Sequence, residues 1–189
     1  MNKIKRICFL GGASWKLEDT VFMDAYNTAK LLGQNGYEIV NGGGPGVMLA
    51  STLGAHDGGA RVLAVTYHPN YKHVNYEGVN KNNKFDEEVI TNDYFDRTKI
   101  MLQNSDVHIV FKGGTGTISE FGMSWANSRI HAGHGKPLIL FGEFWHNIVN
   151  ELNKNMVMRE GELDQVRGIV STPEEVLTFI RKVSPSSTR

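Results

Sequence analysis

Apolar residues fall along this chain in two rhythms. Short apolar runs bounded by glycine occur at residues 7–10, 37–40, 62–65, 107–111, 138–141 and, more weakly, 168–170. Runs of four or five apolar residues without alternation predict strands covered on both faces. Between them, residues 20–32, 47–55, 94–103, 117–130 and 145–153 repeat their apolar positions at helical spacing. Regular alternation of the two patterns predicts an α/β fold, a Rossmann-like doubly wound parallel sheet with helices on both faces.

A last helix is announced by Thr172, Pro173, Glu174 and Glu175. Threonine at the N-cap, proline at the first helical position and glutamate at the third form a capping box. Val176, Phe179 and Ile180 then face the core. The tail 184–189, "SPSSTR", has nothing to bury and is expected to be disordered, which leaves 1–183 as one Rossmann-like domain. Residues 67–84, "YHPNYKHVNYEGVNKNNK", break the rhythm and predict a long loop, either a lid over a ligand or a surface excursion.

The chain has 189 residues, 20 basic and 20 acidic side chains and no long basic run. No net field therefore draws it to nucleic acid or to anionic membranes, and an anion site has to come from local geometry. Cys8 is the single cysteine and sits in an apolar run. It can form no internal disulfide and predicts a buried thiol in a reducing, cytoplasmic setting. No segment reaches membrane-spanning length, and the N-terminal apolar run is too short for a signal peptide.

Three glycine-rich turns follow predicted strands: Gly11-Gly12-Ala13-Ser14, Gly42-Gly43-Gly44-Pro45-Gly46, and Gly113-Gly114-Thr115-Gly116-Thr117. At the carboxyl edge of a parallel sheet such turns present free backbone N–H groups to a phosphate, or they are only tight turns. None spells a Walker loop or G-x-G-x-x-G. Glu120 is open to two readings. It closes a second capping box, Thr117-Ile118-Ser119-Glu120, or it faces a ligand held by the turn. Arg97 is equally divided between a surface ion pair with Asp93 or Asp96 and a role on phosphate or carboxylate.

"NGGGPGVM" at residues 41–48, Arg97 in "DYFDRTKIM" and "GGTGTISE" at residues 113–120 together resemble the LONELY GUY family, often labelled lysine decarboxylase-like. The family pattern P-G-G-x-G-T-x-x-E is matched by Gly113, Gly114, Gly116, Thr117 and Glu120. Lys112 stands where the family has proline, and Phe95 and Thr98 where it has histidine and lysine, so this is a divergent sequence. The resemblance implies a phosphoribohydrolase, cleaving a nucleoside 5′-monophosphate such as AMP to free base and ribose 5-phosphate. It also implies a homodimer and no cofactor, with Arg97 and Glu120 catalytic. Substrate would lie on Gly12, Ser14, Gly43, Gly44, Gly46, Met48, Gly113, Gly114, Thr115, Gly116 and Thr117. Asp96 is a weaker candidate for assisting the leaving base. The competing expectation is a non-catalytic carrier of a nucleotide or phosphorylated cofactor. His131 and His134 lie three apart without acidic or cysteine companions, so no metal is expected.

Overall fold

The computed structural model describes residues 4–68, 78–130 and 135–184. In chain order they form β1 (Arg6–Leu10), α1 (Thr20–Gln34), β2 (Glu38–Asn41), α2 (Val47–Asp57), β3 (Val62–Tyr67), β4 (Glu87–Thr91) and α3 (Tyr94–Gln103). There follow β5 (Val107–Val110), α4 (Thr115–Ile130), β6 (Leu138–Phe141), α5 (Phe144–Asn155), a 3-10 turn at Leu163–Gln165, β7 (Val166–Val170) and α6 (Pro173–Val183). The seven strands make one sheet in the order β4-β3-β2-β1-β5-β6-β7, and every pairing is parallel.

The two-sided burial expected of the apolar runs has a direct structural form. Alternate strand residues point to opposite faces. Ile7, Phe9, Ile39, Val107 and Ile109 meet α1, α2 and α6 on one face. Cys8, Leu10, Val40, Val110 and Leu138 meet α3, α4 and α5 on the other. Each such side chain taken fully from water contributes about 1.5–3 kcal/mol, which is why both faces of the central strands are mainly apolar. Cys8 is a free, fully buried thiol, and burial followed by the charge of Glu120 pushes its pKa up. Trp125 also joins this core, against Phe121 at 5.2 Å between ring centres.

Strand β4 departs from the sequence pattern. It forms the sheet edge, with Glu87, Glu88, Val89 and Ile90 all exposed. Its acidic residues take partners across the strands: Glu87 binds Arg61 at 2.7 Å, and Glu88 accepts a 2.6 Å hydrogen bond from Thr66. The capping box at the start of α6 is present, with Thr172 accepting from the Glu175 N–H and Glu175 reaching back to the Thr172 N–H. The capping box proposed for α4 is not. That helix begins at Thr115, so Thr117 and Glu120 lie inside it. Residues 69–77 of the expected loop, residues 185–189 of the tail, and His131 and His134 lie outside the described residues. Among the described residues no helix is long and apolar enough to cross a membrane.

Candidate functional site

The order of the strands reverses direction at β1 and β5. From β1 the chain builds outward through β2, β3 and β4, then crosses to β5 and builds the other half. Loops leaving the carboxyl ends of such a pair diverge to opposite faces and open a crevice. A cavity of about 250 Å³ lies there, bordered by the turn after β1, the turn after β5 and the first turns of α3 and α4.

The two turns touch. The Gly12 N–H donates to the Lys112 carbonyl at 3.2 Å, and the Trp15 indole N–H donates to the same oxygen at 2.8 Å. A Cβ on Gly113 would stand 2.1 Å from Thr117 Oγ1 and 2.6 Å from the Gly12 nitrogen, so only glycine permits this approach. The N–H groups of the first turn of α4 have no acceptor within the helix, and the positive end of its dipole faces the same space. Gly12, Ser14 and all five residues from Gly113 to Thr117 border the cavity, as does Met48.

Of the middle glycine turn, Gly42 borders the cavity, whereas Gly43, Gly44 and Gly46 are not among its lining residues. Gly46 has φ +63°, and a Cβ there would lie 2.2 Å from the Gly12 carbonyl oxygen, to which the Val47 N–H donates at 3.0 Å. The turn thus buttresses the first cradle from below. Buried Asn41 fixes it, accepting from the Gly43 N–H and donating to Ser51 Oγ and Thr52 Oγ1. On its other side it carries the arm that returns from the loop, through Asn80 N–H to Gly43 O and Asn83 Nδ2 to Gly44 O.

Charge enters the cavity from α3 and α4. Asp93 caps α3 by accepting from the Asp96 N–H at 2.8 Å, which sets Arg97 one turn in and directed at the sheet edge. Its guanidinium lies 3.9 Å from Glu120 Oε1, an ion pair too long for a hydrogen bond. Both side chains are largely buried, 13% and 9% exposed. Among the described residues of the wall, Arg97 is the one cation and Glu120 the one carboxylate. Asp96 stays off the wall and accepts from Asn92 at 3.4 Å.

The sequence pattern of the SLOG cluster4 family matches residues 5–175. The chain belongs to the SLOG cluster4 family. An uncharacterised protein of Archaeoglobus fulgidus is 29% identical over 140 residues, 74% of this chain and 86% of that protein. Over 61 residues the chain is 33% identical to the cytokinin riboside 5′-monophosphate phosphoribohydrolase of Mycobacterium tuberculosis, covering 32% of each. The resemblance to the LONELY GUY family therefore holds at the level of a divergent relative. Among solved structures, the molybdenum cofactor binding protein of Rippkaea orientalis superposes with a TM-score of 0.71 at 23% identity, covering 97% of this chain and 98% of that one.

For this SLOG cluster4 chain, the sequence named Gly12, Ser14, Met48, the 113–117 turn, Arg97 and Glu120, all of which border one cavity, but passed over Tyr94. That residue borders the cavity, lays its ring against Arg97 at 5.0 Å, and donates its hydroxyl to the Gly116 carbonyl at 3.2 Å. Burial, and then the charge of Glu120, raise its pKa, so the phenol is neutral at physiological pH. The available signal was the spacing: tyrosine three residues before the arginine places both on one helical face.

Proposed function

We propose that this protein hydrolyses the N-glycosidic bond of a nucleoside 5′-monophosphate such as AMP, releasing free base and ribose 5-phosphate. The observation that carries the reading is the buried carboxylate of Glu120 beside an anion cradle. A site built only to retain a phosphorylated ligand gains nothing from a fixed negative charge, which repels that ligand. The charge becomes useful when the sugar turns cationic as the bond to the base breaks. In this reading the Gly113–Thr117 turn and the start of α4 hold the 5′-phosphate, and Glu120 faces the ribose. Arg97 orients that carboxylate. Water adds to the anomeric carbon and the base departs with the bonding electrons and a proton.

A homodimer in a reducing cytoplasm belongs to the same proposal. Phe95 and Ile118, 71% and 61% exposed at the starts of α3 and α4, supply apolar surface close to the cavity. The second reading is a carrier, which the name of the Rippkaea orientalis protein brings in. A panel of nucleoside 5′-monophosphates incubated with the protein and resolved by chromatography decides between them. Hydrolysis predicts many equivalents of free base and ribose 5-phosphate per chain. Ligand retained at one equivalent with no product assigns the protein to carriage.

A further inference from the structure

We infer that Tyr94 is a positioning residue that holds the Arg97 guanidinium in register with Glu120, and this rests on the proposed reading of that pair. Three observations converge on it. Arg97 Nε is buried and has no hydrogen-bond partner among the described residues, so no such bond fixes the guanidinium at that atom. Its position is instead defined by flat faces, with Tyr94 at 5.0 Å and Tyr67 at 5.7 Å from ring centre to Cζ. Aromatic faces attract a guanidinium without accepting its N–H groups, which leaves those donors free for carboxylate or ligand.

Tyr94 is itself anchored at both ends. Its backbone opens α3 under the Asp93 cap, and its hydroxyl donates to Gly116 in the first turn of α4. A Cβ on Gly116 would come within 3.3 Å of that hydroxyl, so the glycine also makes room for the phenol. The ring therefore ties the helix that supplies Arg97 to the helix that supplies Glu120. A change in the separation of these two helices would move the 3.9 Å gap between the charges.

The test compares Tyr94→Phe, which keeps the ring, with Tyr94→Leu, which removes it, on the full chain. Phenylglyoxal labelling of Arg97 is followed by peptide mass mapping and normalised to exposed Arg159 in the same sample. Loss of the aromatic face is expected to speed Arg97 labelling about tenfold in Tyr94→Leu, while Tyr94→Phe stays within about twofold of wild type. In AMP turnover, kcat of Tyr94→Leu is expected to fall about tenfold with KM within about threefold, and Tyr94→Phe, which keeps the ring but loses the hydroxyl tie to Gly116, to lie between Leu and wild type. Equal labelling in all three proteins, or Phe behaving as Leu, overturns the inference. If Tyr94→Leu does not fold by circular dichroism, Tyr94→Met takes its place. Wild-type protein that turns over no nucleotide removes the hydrolase reading alone, because the labelling comparison still decides what Tyr94 does.

Discussion

Replacing Glu120 by glutamine keeps the shape of the side chain and deletes its charge, so it isolates the electrostatic contribution on which hydrolysis would depend. The structure sets the scale. Arg97 shows how close a cation comes to this carboxylate, 3.9 Å. At an effective dielectric of about 20, a unit charge at that spacing is favoured by about 4 kcal/mol, and half a charge by about 2. A sugar at the transition state lies between these limits, so Glu120→Gln is expected to lower kcat by about 30- to 1,000-fold. AMP binding should move in the opposite direction or not at all, because the substitution removes an anion from a phosphate-binding cavity. Steady-state release of free base gives kcat, and titration calorimetry on the same sample gives affinity. The variant must first show wild-type circular dichroism, since Arg97 loses its counter-charge. A folded Glu120→Gln protein with kcat within about threefold of wild type would refute the electrostatic argument. Parallel loss of binding and kcat would instead make Glu120 a ligand-holding group.

Two further outcomes follow from the packing. Gly113→Ala places a methyl group 2.1 Å from Thr117 Oγ1 and 2.6 Å from the Gly12 backbone, whereas the same change at Gly114 meets nothing within 4 Å. The first should cost about 1–3 kcal/mol in urea unfolding and abolish nucleotide binding, the second should do neither, and equal behaviour of the two would contradict the contact between the turns. His108 is buried between Ser124 Oγ at 2.6 Å and the Leu102 carbonyl at 3.3 Å; burial first, and then the charge of Lys136, holds its pKa down at about 4 against the usual 6.5. Its folded pKa is the lower one, so its contribution is complete above pH 6.5 and is lost as pH falls toward 4, about 3 kcal/mol in all. Urea unfolding between pH 7 and pH 4 should show that loss in wild type and most of it missing in His108→Asn, and identical pH profiles would rule it out.

What the amino-acid pattern disclosed and what it hid have separate physical causes. The central strands were legible because burial on both faces forces unbroken apolar runs such as Ile7 to Leu10. Strand β4 was not, because an edge strand keeps its charges in water. Glu87 and Glu88 satisfy Arg61 and Thr66 without any apolar signature. The start of α4 was misjudged for a related reason. Thr117 and Glu120 have the spacing of a cap, but the helix begins earlier, at Thr115, directly after the turn in which Gly113 meets Gly12. That leaves Glu120 one turn inside, where it lines a cavity. Glycine composition likewise gave no means to separate a cradle from a buttress. Only the three-dimensional approach of Gly46 to the Gly12 carbonyl shows that the middle turn supports the first.

The balance of charge in the cavity bears on the choice between hydrolysis and carriage. A protein selected to retain a phosphorylated ligand maximises ground-state attraction, and cationic side chains are the direct means to that end. Here the described wall holds one arginine and one glutamate, and the arginine already faces the glutamate. On the proposed reading, binding is left to backbone N–H groups and hydroxyls, which position a phosphate without a large net field. Burying an ion pair costs desolvation of both members, which their mutual attraction only partly offsets. A site that bears this cost, while weakening its own hold on an anion, makes sense if its charges act on a state that appears after binding. The cationic sugar is such a state. On the proposed reading, the balanced charge of the described wall fits transition-state complementarity better than simple retention.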